Sequence, residues 1–150
     1  MRAPGLAEAI PSCHGGRVNE ADRERLAAAG VPPNALRAAR DGGASVHPAL
    51  AFRLGVPWKT ALSPARATLV PLWECETVVT GLRDGGMFVQ LSLELPNEPF
   101  WETPSFDEVV ERLLVTLWED DVEDTDLREV ARLFQFRPIE PLLRQLEGAE

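Results

Sequence analysis

Glu94, Glu98 and Glu102 are the residues of this chain whose types and spacing come closest to catalytic chemistry. Carboxylates carried on and beside one strand can converge into a general acid and base. Any acidic protein offers such pairs, however, and the same residues serve equally well as solvated or interface acids. Phe100 and Trp101 stand among them in the stretch Asn-Glu-Pro-Phe-Trp-Glu-Thr. Aromatic residues ringed by acids suit the centre of a protein interface, whereas at a strand end they also commonly close a core. Glu94, Glu98, Phe100, Trp101 and Glu102 are therefore the candidate partner-binding residues.

Other chemistry fails on spacing. The acidic run from Glu119 to Asp126 has the charge of a calcium loop, but no register places alternate acids, a sixth-position glycine and a twelfth-position glutamate together. It reads as a solvated linker between helices. Cys13, His14, His47 and Cys75 could supply four zinc ligands by number, yet Cys13 and His14 are adjacent and Cys75 is alone, unlike paired-ligand motifs. Gly-x-Ser-x-Gly, the phosphate-binding loop and the dinucleotide glycine pattern are all missing. Cys75 lies in an apolar, strand-like stretch without a neighbouring histidine to activate it. The expectation is a chain with no catalytic residues, no cofactor and no metal.

The elements that must position these residues are marked by caps and periodicity. Asn19 opens a short helix that stops at Gly30, and Pro32–Pro33 start a second that closes on Gly42–Gly43. From Ala44 to Ala67 prolines interrupt any regular element, leaving an irregular stretch with one helical turn. "TLVPLWE" and "ETVVTGL" read as strands, and the turn Asp84–Gly85–Gly86 leads into a third over 87–95. In that strand Met87, Val89, Leu91, Leu93 and Leu95 alternate with Phe88, Gln90, Ser92 and Glu94, which predicts one buried face. "PFWET" is a further edge strand because its prolines exclude a central position.

Ser105 and Glu108 have the spacing of a capping box, followed by Phe106, Val109, Val110, Leu113, Leu114 and Leu117 at helical intervals. Asp126 and Glu129 are placed to cap the next helix, and a short one with Pro141 near its start ends the chain. The predicted class is α+β, a single domain over 19–150 with a mixed or antiparallel sheet packed by helices. Extra C-terminal helices form an extension over 119–150, and residues 1–18 are a flexible leader.

Composition bounds function further. With 150 residues, 45% hydrophobic and 26% charged, the chain can bury a core and has no run long enough to span a membrane. Residues 1–73 carry nine basic against five acidic side chains, while residues 74–150 carry six against nineteen, a net −13. A field of that sign repels phosphate backbones and attracts basic proteins, so the expected partner is a protein and not nucleic acid or membrane. Two widely spaced cysteines point to reduced thiols and the cytoplasm.

The order of these parts resembles the SUKH superfamily of bacterial immunity proteins and Smi/Knr-type cell-wall regulators. Val31–Pro32 stands at the step between two short helices, Asp41–Gly42–Gly43 at the closing turn, and Ser105 to Val110 at the start of the late helix, over roughly residues 19–119. Val110 replaces an aromatic residue of the family pattern, and the final thirty residues do not align. The resemblance implies an α+β domain that works by binding, such as an immunity protein that neutralises a basic bacterial toxin. A small enzyme or ligand binder using the strand-region carboxylates, or a regulatory scaffold that dimerises, remain the alternatives. A monomer or a homodimer is expected.

Overall fold

Asn19 caps the first helix as its sequence predicts: its side chain accepts the Asp22 backbone N–H at 2.8 Å and opens α1, Glu20–Ala28. This computed structural model describes residues 19–148; the predicted leader, with Cys13 and His14, lies outside the described residues. Helix α2, Pro33–Asp41, starts on Pro33, where a missing N–H costs nothing, and turns its buried Ala35, Ala38 and Ala39 to one side. The chain turns at Gly42 (φ +91°) into a close approach at Gly43, where an added Cβ would stand 2.4 Å from the Leu50 carbonyl oxygen.

The stretch predicted to be irregular holds more helix than expected. Short 3₁₀ turns cover Gly43–Ser45, Pro48–Leu50 and Pro64–Ala67, and α3 spans Trp58–Ala61. The prolines open these turns as readily as they break longer helices: Pro48 and Pro64 both sit in first-turn positions, behind side-chain caps from His47 and Ser63.

Four strands follow as an antiparallel meander, β1 Leu69–Cys75, β2 Val78–Arg83, β3 Phe88–Ser92 and β4 Trp101–Thr103, paired in chain order. The strand predicted over 87–95 stops at Ser92, because the Ser92 hydroxyl accepts the Glu94 N–H at 3.1 Å and the chain turns away. One irregularity sets the orientation of the whole sheet. Pro71 pairs with Gly81 and Trp73 with Thr80, so Leu72 is an extra residue that β2 does not match. Such a bulge resets the alternation of side chains. Both Leu72 and Trp73 therefore enter the main core beside Val70, Leu82 and Phe88.

The sheet is covered on both faces, which revises the expectation of one buried side. Phe88 belongs to the main core with α1, α2, α4 and α5, while Val89 and Leu91, two of the five residues on the predicted apolar face, join a smaller cluster with Leu69 and Val79. On that second face Glu74 is only 5% exposed. Its carboxylate accepts the Lys59 N–H at 3.2 Å, the Thr60 N–H at 2.5 Å and the Thr60 hydroxyl at 2.5 Å, so it closes the start of α3.

Helix α4, Phe106–Glu119, is amphipathic as predicted and buries Phe106, Val109, Val110, Leu113, Leu114 and Leu117. Its cap differs from the predicted box. The Ser105 side chain makes no cap bond; Thr103 Oγ1 accepts the Ser105 N–H at 3.1 Å and donates to Glu108 Oε1 at 2.9 Å. Glu108 thus ties the helix to the last strand through a buried threonine two residues earlier than the sequence pattern suggests. Helices α5, Asp124–Leu133, and α6, Ile139–Gly148, complete the α+β domain. Phe134, at the end of α5, stacks on Trp73 with ring centroids 6.0 Å apart and closes the core.

Candidate ligand groove between the sheet and helix α4

Register across the four strands lines up Trp73, Thr80, Gln90 and Trp101 in a single row on the face that α4 covers. Side chains in register on one pleated face are neighbours, so this row forms a continuous floor. Glu108, Val109, Arg112, Leu113 and Thr116 of α4 form the wall above it, and the space between them is a groove of about 620 Å³. A volume of that size is typical of ligand sites.

The two ends differ. At the β4 end the Arg112 guanidinium lies 5.1 Å above the Trp101 ring and reaches Glu108 at 3.3 Å. Phe100 flanks it with its backbone N–H donated to the Gln90 carbonyl at 2.7 Å, while its side chain leaves the residue 61% exposed. At the β1 end Arg53 holds Asp120 through two bonds, 2.7 and 2.9 Å, and its other nitrogen lies 3.9 Å from Cys75 Sγ.

That pairing with Arg53 lowers the Asp120 pKa from its ordinary value, with the hydrogen bonds as the main cause. A depressed carboxylate pKa stabilises the fold above the unfolded pKa, and this contribution disappears as pH falls through the folded value. Because the pair is partly exposed, the contribution at neutral pH is below ~1 kcal/mol. Arg53→Gln is therefore expected to lose a small, constant increment of stability from pH 7 to about pH 5. The difference from wild type should shrink once pH falls below the unfolded carboxylate pKa of about 4 and vanish below the folded Asp120 pKa, as read by urea denaturation at each pH. A difference that persists undiminished at the acid end would assign the effect to packing of the arginine stem instead.

Of the five predicted partner-binding residues, the structure brings Phe100 and Trp101 to this groove and leaves three acids outside it. Glu94 and Glu98 are exposed on the turns after β3. Glu102 alternates to the opposite side of β4 from Trp101 and pairs with Arg83 at 2.8 Å. A general acid and base drawn from these three would need a shared pocket, and the groove contains none of them. The aromatic pair divides: Phe100 is a surface residue, and Trp101 is half-buried against the edge of the core. Sequence reasoning missed Arg53, Thr80, Gln90 and Arg112. Gln90 and Thr80 carried the available signal, as polar positions recurring in strands on the side of Phe88 and Leu82.

The metal question returns at a different place. His47 Nε2, Asp126 Oδ1 and Glu129 Oε1 lie within 4.8 Å of one another. Asp126 and Glu129 were predicted to cap α5; one turn apart on the helix, they instead face the loop that carries His47. His47 Nδ1 accepts the Ala49 N–H at 3.0 Å, so a neutral ring carries its proton on Nε2, which lies 2.8 Å from Glu129 Oε1. A metal would need the Nε2 lone pair, which that tautomer does not offer. The trio is chemically a clamp between the Pro48–Leu50 turn and α5. Among the described residues no helix is long and apolar enough to cross a membrane. No protein-family model, no curated protein and no solved structure matches this chain.

Proposed function

We propose that this protein works by holding another protein and performs no chemistry of its own, in the manner of an immunity-type inhibitor covering a basic toxin. The observation that carries the reading is Phe100, an aromatic residue 61% exposed at the mouth of a groove whose rim continues into Trp101. Its backbone is pinned to β3, so the ring is presented on a rigid support and little ordering entropy is lost on contact. The net −13 of residues 74–150 supplies the attraction for a cationic partner and speeds its capture at low salt. The SUKH-like order of elements and a cytoplasmic site of action belong to the same proposal. The nearest gene is then expected to encode the toxin.

Phe100→Ala is the direct test. The variant should keep the wild-type thermal midpoint, because an exposed ring contributes little to the core, while affinity for the cognate toxin falls by about 2 kcal/mol, roughly thirtyfold in Kd. Co-purification from the native host followed by calorimetry with the recovered protein reads both quantities. Recovery of no partner together with a toxin-free gene neighbourhood would defeat the immunity reading. A partner bound equally well by Phe100→Ala would defeat the assignment of this surface.

A further inference from the structure

The groove's polar atoms and charges specify the kind of segment that fits it. Thr80 is 3% exposed, and its hydroxyl oxygen accepts the Gln90 Nε2–H at 3.2 Å. Among the described residues its own O–H has no acceptor, and the Gln90 side-chain amide oxygen, Oε1, has no donor. A buried hydroxyl with its proton unplaced costs free energy until an acceptor arrives. The floor thus offers one donor and one acceptor side by side, midway between two tryptophans, which is the pairing that a peptide unit's C=O and N–H require.

The charges on the rim select the sign. Arg53 is occupied by Asp120, and Arg112 by Glu108 and the Trp101 face, so neither cation is free for an anionic ligand. Glu76 and Glu111, also lining the groove, have no salt-bridge partner among the described residues. Crossing four strands, the floor is about 14 Å long at ~4.8 Å per strand, enough for about four extended residues at ~3.3 Å each.

From this we infer that the groove binds an extended, basic peptide segment of a protein partner. The segment lies along α4 with a peptide unit on Thr80 and Gln90, an apolar side chain on Phe100 and Trp101, and lysine or arginine side chains toward Glu76 and Glu111. The inference rests on the protein-binding reading above and names what that site takes.

A backbone-amide NMR titration tests it with two synthetic probes, acetyl-Lys-Leu-Lys-Phe-Lys-amide and acetyl-Glu-Leu-Glu-Phe-Glu-amide. The basic probe should shift Thr80, Gln90 and the Trp101 indole, and should bind at least about tenfold tighter than the acidic one. Thr80→Val combined with Gln90→Leu should weaken it by about tenfold or more, whereas Thr80→Ser, which keeps the hydroxyl, should not. Shifts confined to the acidic run 119–126, equal binding of both probes, or undiminished binding by the double variant would each overturn the inference. If the double variant fails to fold, the wild-type shift map and Thr80→Ser decide the matter. A natural partner whose binding depends on Phe100 but ignores the double variant would overturn the groove assignment while leaving the protein-binding reading intact.

Discussion

Trp73→Ala is expected to destabilise the protein by about 3–5 kcal/mol, the range for deleting a large buried aromatic side chain. Trp73 is 4% exposed and stacks on Phe134 at 6.0 Å with an interplanar angle of 10°, while Phe106 meets it edge-on at 6.4 Å. Through it the sheet touches both Phe106 at the start of α4 and Phe134 at the end of α5. Alanine would leave a cavity bounded by two elements that cannot close on it without moving the helix pair. Trp73→Phe retains a ring for the stack and should cost roughly half as much. Urea denaturation checks this as a fall in midpoint at unchanged slope. A Trp73→Ala loss below about 1 kcal/mol would mean that the bulge at Leu72 does not direct this ring into the core.

Glu74→Ala is expected to cost about 3 kcal/mol, from the opposite face of the sheet. The buried Glu74 carboxylate accepts two N–H groups and one hydroxyl, and no salt bridge reaches it among the described residues. Its removal strands those donors beside Thr60, which is fully buried, and each stranded donor carries its desolvation penalty. Glu74→Gln keeps the shape and one acceptor oxygen, so it should lie between alanine and wild type. Hydrogen exchange would report the same loss locally, as faster exchange at Lys59 and Thr60. An alanine variant within about 0.5 kcal/mol of wild type would show the carboxylate to be dispensable to α3.

Local signals in the chain were legible wherever one short segment decides the outcome. Asn19 caps α1, the two prolines open α2, Asp84–Gly85–Gly86 turns β2 into β3, and the apolar spacing of α4 matches its buried face. Each of these depends on residues within a few positions of one another. The capping box failed because a nearby competitor was better placed: Thr103 takes both the Ser105 N–H and the Glu108 carboxylate. The predicted β3 failed at its end for a similar reason, since a serine hydroxyl can turn a strand that its alternating leucines would extend.

The site was half legible. Phe100 and Trp101 could be picked out as aromatic residues among acids, but which of them the core would claim depends on the strand's orientation against α4. Alternation alone places Glu102 opposite Trp101, so the convergence of Glu102 with that face was already excluded by a period of two. No local pattern joins His47 to Glu129, which are 82 positions apart.

By itself, then, the sequence determined the class, the starts of the first two helices, the acidic half and the lack of recognisable catalytic motifs, because composition and short-range periodicity carry that information. Only the tertiary structure decided which face of the sheet is the main core and where the groove lies. The extra residue Leu72 shifts the pleat by one step, and the consequences for Trp73, Thr80, Gln90 and Trp101 appear only when four strands are laid in register under a helix.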